Sequence, residues 1–371
     1  MRISSARLVA VLLLGVASQS QAAPLTLDPS LLQEKLVIGS GAINDPQFRV
    51  GASRYTGVGG IIVNDKANDA AGFVGLCTGA LISPTVLLTA AHCLDAEDIT
   101  RLRVRFGNGL LGGFTQYEAD HFAIHPNYDP NASVGGGWDV AAILLRGPVA
   151  GVDTYDLYTG RDEFGRVHTK VGYGTTGDGL SGTNGALGAY EKRAGQNIYE
   201  ATETDLFGSG AFGDAPDDSI LMFDFDSGLA NNDFFGALGL PQRGVYDDNG
   251  RFVEVNSSPG DSGGPTFIGD LIAGITSFGI TGGILDGGCG PGFIDIDSAA
   301  PGPGTTSTTL SRCTNSSFGE LSGDTRVSSY IDYIEYLRDW RAGYSPVPEP
   351  GMLGLLGLGL AGLMMRRRKG A

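Results

Sequence analysis

The chain is short of several residue types, and each shortage narrows what it can be. Four cysteines in 371 residues allow at most two disulfides, in any of three pairings, so the body must be held by an apolar core. There are only four histidines, His92, His121, His125 and His168, which leaves few candidates for a general base. Basic residues are scarce, with 25 lysines and arginines against 41 acids and a formal net charge of −16. Six of the basic groups sit at the two ends, and removing them leaves 19 against 41. A body of that charge repels nucleic acid and anionic membranes, and neither is expected as a partner. Helical spacing is nearly absent. It occurs in one segment, Val327 to Trp340, where Tyr330, Ile331, Ile334 and Leu337 share a face. No internal repeat is visible.

What is present is glycine, 60 residues of it, and short apolar runs between turn residues. Gly59 to Val63, Thr85 to Leu88, Val140 to Leu145 and Leu271 to Ile275 read as strands, so the fold class is all-β with a closing C-terminal helix.

Both ends carry targeting patterns. Residues 1–23 read as a signal peptide: Arg2 and Arg7 precede the apolar core Leu8 to Ala17, and Ser20-Gln21-Ala22 supplies small residues for cleavage. Residues 24–48 show no strong periodicity and read as a linker or propeptide. At the other end, 344–371, Pro348-Glu349-Pro350 is followed by the apolar run Gly351 to Met365 and the basic cluster Arg366-Arg367-Arg368-Lys369. Fifteen helical residues reach about 22 Å, a marginal span against a hydrocarbon core of about 30 Å, so this segment enters the membrane transiently. The order resembles the PEP-CTERM sorting tail of Gram-negative bacteria. That resemblance implies export machinery and an exosortase-type processing enzyme as partners, with the product at the cell surface, in the matrix or secreted.

The chemistry is carried by three separated segments. Ser262 lies in Gly260-Asp261-Ser262-Gly263-Gly264-Pro265, where flanking glycines allow successive N–H groups to aim at one point. The N–H groups of Gly260 and Ser262 are the candidate oxyanion donors. His92, in Leu88-Thr89-Ala90-Ala91-His92-Cys93, is the candidate base. Asp139, in Trp138-Asp139-Val140-Ala141-Ala142-Ile143, opens an apolar run and is expected to be partly buried. A serine is a weak nucleophile that needs a base, and the base needs a carboxylate to fix its tautomer. His121 and His168 have no motif and read as surface residues, and His125 lies in a turn-like stretch.

The order histidine, aspartate, serine, with Cys77-Thr78-Gly79-Ala80-Leu81-Ile82, Val171-Gly172-Tyr173-Gly174, Gly274-Ile275-Thr276-Ser277-Phe278-Gly279 and Thr325-Arg326-Val327-Ser328, resembles the trypsin/chymotrypsin family of serine endopeptidases. The domain is expected over residues 49–343. The resemblance implies two antiparallel six-stranded β-barrels with the triad between them, no cofactor, and a protein or peptide substrate. It implies that Ser277 and Gly279 line the cleft and pair with substrate as an added strand. It also implies a Cys77–Cys93 disulfide beside the histidine.

Three departures qualify the match. Ser258 stands where the family often has a cysteine, which leaves Cys289 to pair with Cys313. Asn256 stands at the pocket floor, six residues before the serine, so strict selection for arginine or lysine is not expected. The usual activation terminus is missing. Arg49-Val50-Gly51-Ala52 is its nearest equivalent and offers a cut after Arg49. The long stretch from 193 to 255 contains Asp224, Asp226 and Asp233 with Asn231 and Asn232; their spacing fits no calcium loop, and the stretch reads as a solvated acidic loop without metal. Beside the protease stand two other readings of the same triad and tail, an esterase and a surface-anchored binding or matrix protein that retains an unused protease fold.

Overall fold

The computed structural model describes most residues from 48 to 280 and from 316 to 340, with short strands at 32–33 and 36–38; the largest undescribed stretches within those bounds are 66–74 and 184–190. Residues 1–23, Asn231, Asn232, Cys289, Cys313 and the tail at 344–371 lie outside the described residues. In chain order the first strands are β1 (Leu32–Gln33), β2 (Leu36–Ile38), β3 (Val58–Asp65), β4 (Gly75–Ser83), β5 (Val86–Thr89), β6 (Ile99–Gly107), β7 (Phe114–Ile124) and β8 (Ala141–Leu145). They are followed by β9 (Val167–Gly172), β10 (Gly177–Asp178), β11 (Gly182–Thr183), β12 (Arg193–Ile198), β13 (Ala201–Thr202) and β14 (Ile220–Asp224). The last four are β15 (Val255–Ser257), β16 (Pro265–Ile268), β17 (Leu271–Ile280) and β18 (Leu321–Arg326). The helices are α1 (Glu203–Phe207), α2 (Phe234–Ala237) and α3 (Ile331–Arg338).

The first half closes into a six-stranded barrel in the order β3-β4-β5-β8-β7-β6. Its logic is the two-residue period of a strand. On β6, Leu102, Val104 and Phe106 are buried while Arg101, Arg103 and Arg105 point away from the core. β5 and β8 are buried along their whole length and pair through Leu87 and Ile143. All four predicted strands are present.

The second half is the curled partner of that barrel, a sheet in the order β12-β9-β16-β17-β18-β14-β13, with β1 paired to β17. Only Tyr199 and Glu200 separate β12 from β13, and the two run in the same direction, so one stretch of chain pairs with β9 at its start and with β14 at its end. Glu200 continues the second pairing, its N–H donating to the Met222 carbonyl at 3.0 Å. The Asn197 amide adds to this junction, donating to the carbonyls of Asp224 and Val255 at 2.8 Å each. A small second sheet, β11-β10-β2-β15, lies against this half.

The predicted closing helix is present as a 3-10 turn at Val327–Ser329 followed by α3. Its buried face, Ile334 and Leu337, with Val327, Tyr330 and Trp340, joins the core of the first barrel. The chain therefore returns from the second half to seal the first. Among the described residues no helix is long and apolar enough to cross a membrane.

Candidate active site

His92 sits in a single 3-10 turn, Ala91–Cys93, directly after β5. Ala90 and Ala91 are fully buried, which lets the turn lie flat on the barrel. Cys93 is bonded to Cys77 on β4, with Cα atoms 6.1 Å apart, so the histidine turn is tied to a barrel strand. Closing that 16-residue separation is worth roughly 3 kcal/mol in chain entropy.

Asp139 stands just before β8 and is 1% exposed. Its Oδ1 accepts from the His92 backbone N–H at 3.0 Å, and its Oδ2 lies 2.7 Å from His92 Nδ1. The Ser277 hydroxyl donates to the same Oδ2 at 2.5 Å. Burial alone would raise the carboxyl's pKa. The charge and hydrogen bonds of His92, with the Ser277 hydroxyl, outweigh it and hold Asp139 below its ordinary value. An ionised Asp139 keeps a proton on Nδ1, which leaves Nε2 as the basic nitrogen.

Ser262 is 1% exposed and follows a glycine in the left-handed region, Gly260 at φ +103°. The loop docks on the first barrel through Thr78, whose N–H donates to the Ser262 carbonyl and whose hydroxyl donates to the Gly260 carbonyl, each at 2.8 Å. The Cys93 sulfur lies 3.7 Å from His92 Nε2 and 3.5 Å from the Ser262 carbonyl oxygen, so base and serine loop meet at the disulfide.

Asp261 explains two glycines of the Val171-Gly172-Tyr173-Gly174 segment. A Cβ on Gly172 would lie 1.7 Å from its Oδ1, and one on Gly174 would lie 2.2 Å from its Oδ2. Oδ1 accepts from the Gly174 N–H at 2.9 Å, while Oδ2 is buried with no donor. It faces a narrow cavity lined by Thr175, Arg193, Gly195 and Val255. Burial pushes the carboxyl up to about 8, against the weaker lowering by the Gly174 N–H, Lys170 and Arg193.

The floor candidate Asn256 is 1% exposed, on β15. Its carbonyl oxygen accepts from the Ser257 N–H at 2.7 Å and the Ser322 hydroxyl at 2.5 Å, so the amide NH₂ is the group left to face a ligand. Ser258, at the missing cysteine, is buried and tied to Thr175, with its hydroxyl 2.7 Å from Thr175 Oγ1. Ser277 and Gly279 lie on β17, and the edge at Gly279 is taken by the chain itself: Gln33 of β1 pairs with Gly279, antiparallel. The Ser277 hydroxyl bond to Asp139, the Thr325 hydroxyl bond to the Asp139 carbonyl at 3.0 Å and the docking role of Thr78 are the contacts that motif reading missed. All three lie inside quoted motifs, which was their only signal.

Two expectations are corrected. His168 is not a surface residue. It is fully buried on β9 against Tyr199 and Phe223, and burial holds its pKa well below the ordinary value. The acidic stretch is not solvated either: Asp224, Asp226 and Asp233 are 1%, 1% and 7% exposed. The other two histidines behave as read. His121 keeps an exposed side chain, and His125 is stacked on Trp138 at 4.6 Å with its pKa lowered to about 4 by burial.

A closed barrel, a curled partner sheet and a C-terminal helix make up the chymotrypsin-like fold. In comparison with known proteins, residues 53–213 match the family model described as Trypsin, and residues 346–369 match the PEP-CTERM protein-sorting motif. Brachyurin from Leptuca pugilator is 29% identical over 248 residues, covering 64% of this chain and 91% of brachyurin. Trypsin beta from Drosophila erecta is 25% identical, covering 55% and 68%. A solved structure titled HL collagenase superposes with a TM-score of 0.49 at 16% identity, over 80% of this chain and 99% of that one. The sorting motif marks the chain for export to the cell surface of a Gram-negative bacterium.

The Asp261 carboxyl gives a pH test. Its folded value, about 8, lies above its ordinary 3.8, so the folded state holds a proton that the unfolded state has lost between those limits. Stability from this group therefore falls as pH rises from about 4 to about 8. In the uncut chain, Asp261→Asn should flatten that part of the profile, read as unfolding midpoints across the pH range. An unchanged profile would show that the carboxyl is already ionised.

Proposed function

We propose that the chain is an exported serine endopeptidase that cleaves peptide bonds through an acyl-enzyme, with His92, Asp139 and Ser262 as its triad. The observation that carries this reading is the buried Asp139 carboxylate 2.7 Å from His92 Nδ1, in a turn tied by disulfide to the barrel and abutting the Ser262 loop. Ser262 Oγ attacks the substrate carbonyl and its proton passes to His92 Nε2. The oxyanion is held by the N–H groups of Gly260 and Ser262, each worth on the order of 100-fold in rate. His92 then gives the proton to the leaving amine, and water repeats the cycle on the acyl-enzyme. Asp139 stays ionised and orients the ring. Asn256 presents an amide donor to the specificity pocket, which favours side chains that accept a hydrogen bond over cationic ones.

Within residues 24–48, the part up to Lys35 acts as a propeptide in this reading. β1 pairs with the same edge of β17 that would bind substrate, and so blocks it. β2 begins directly after Lys35 and pairs with β15, whose Val255 lines the cavity at Asp261. One cut after Lys35 would detach β1 and create an amine at Leu36, a donor for the Asp261 oxygen that lacks one. A cut after Arg49 fits less well, because Phe48 and Val50 on either side are already buried.

Three measurements follow. A fluorophosphonate serine-hydrolase probe should label the processed protein and not its Ser262→Ala variant; equal labelling of both would remove Ser262 from the mechanism, and none in a processed chain would leave the fold as a binding scaffold. Sequencing the amino terminus of the labelled protein should read Leu36-Val37-Ile38; a start at Val50 would restore the Arg49 cut. In a peptide library, Asn256→Asp should raise cleavage after arginine and lysine by about tenfold or more, since a carboxylate at the floor pairs with those cations. An unshifted profile would place the specificity contact elsewhere.

A further inference from the structure

At the junction in the second sheet, four carboxyl groups are packed inside the protein: Glu200, Asp224, Asp226 and Glu254, each 4% exposed or less. They come from the link between β12 and β13, the end of β14 and the residues just after it, and the residue before β15. Asp224, Asp226 and Glu254 each offer an oxygen within 4.8 Å of the others. Two calcium–oxygen bonds of about 2.3–2.6 Å span that separation.

The backbone fixes one oxygen of each of these three groups. Asp224 Oδ2 accepts from the N–H groups of Phe234 and Phe235 at 2.9 and 3.3 Å, at the start of α2. Glu254 Oε2 accepts from the Asp226 N–H at 3.2 Å, and Asp226 Oδ1 accepts from the Gly228 N–H at 2.6 Å. The remaining oxygen of Glu254, Oε1, is buried and has no donor, and Asp224 has the Glu200 carboxyl as its side-chain hydrogen-bond partner. The described ion pairs bring no lysine or arginine to Glu200, Asp224 or Glu254; among the buried cations of this half, Lys170 and Arg326 are taken by Asp324 and Glu163, and Lys192 donates to the Tyr55 carbonyl. A buried Glu254 oxygen without a donor, beside two oriented carboxylates, is the place a cation would fill.

We propose that Asp224, Asp226 and Glu254 form a calcium site, with Glu200 beside it. The donors are all carboxylate oxygen, with no histidine or cysteine, which disfavours zinc. A buried cage leaves little room for the water shell that magnesium retains. The site does not depend on the protease reading. Its ion ties the end of β14 to the residue before β15, next to Glu200 and alongside the backbone bonds that already join these segments. β15 carries Asn256 and leads into the Ser262 loop, so the same ion braces the wall of the cleft.

The test is thermal unfolding of the purified protein in 5 mM calcium, 5 mM magnesium and EGTA, with Glu254→Gln and Asp224→Asn as variants. With an affinity typical of extracellular modules, calcium should raise the wild-type midpoint by about 5 °C and magnesium should not. Glu254→Gln should lose that rise. In EGTA it should unfold no earlier than wild type, because it removes one of several carboxyls crowded without a counter-ion. This reversal of rank between the two media is what a merely structural glutamate would not give. Equilibrium dialysis should show one calcium fewer per chain in the double variant than in wild type. Equal midpoints in calcium and EGTA, or a Glu254→Gln protein that keeps the full calcium response, would overturn the site and leave the cluster as carboxyls sharing protons.

Discussion

The bond between His92 and Asp139 is the constraint around which the rest is arranged. A carboxylate that is 1% exposed stays ionised only if donors surround it, and here three donors come from two parts of the chain: the His92 ring and backbone, and the Ser277 hydroxyl. Thr325 then holds the Asp139 carbonyl. The two halves are thus joined at one buried charge. Displacing either half would strand that charge, which is a larger loss than any single surface contact.

The same rule runs through the second half, which is unusually rich in buried ions. Asp324 is matched by Lys170, at 2.6 Å, and by the hydroxyls of Thr266 and Tyr199, while Glu163 is matched by Arg326. These sites are complete. Asp261 and Glu254 are not, because each keeps a buried oxygen without a donor. Complete pairs hold the fold; the incomplete ones are the positions on which the proposed activation amine and the proposed calcium ion rest.

Much of the first barrel was legible in the chain because its strands alternate in the ordinary way, as on β6, or are continuous apolar runs, as on β8. The His92–Asp139 contact and the docked loop of Ser262 were legible because each residue sits in a local pattern whose small residues have a visible purpose. The failures share a cause. His168 and the acids near 224 looked exposed because polar residues usually are, and nothing in a linear pattern says that Tyr199 will cover one and the sheet junction the others. The passage of one stretch from β9 to β14 was equally hidden: it ends in the two residues of β13, and a two-residue strand has no periodicity. The pairing of β1 with β17 is a long-range match between segments some 245 residues apart, which spacing alone does not report.

The return of α3 to the first barrel has a geometric consequence. Trp340 is anchored in that barrel's core, and the sorting motif starts at residue 346. The apolar run of that motif begins at Gly351, eleven residue steps from Trp340, which fully extended reach about 36–40 Å. With that run held in a bilayer, the folded body would stay within a few tens of ångströms of the surface, and what enters its cleft would be drawn from that layer.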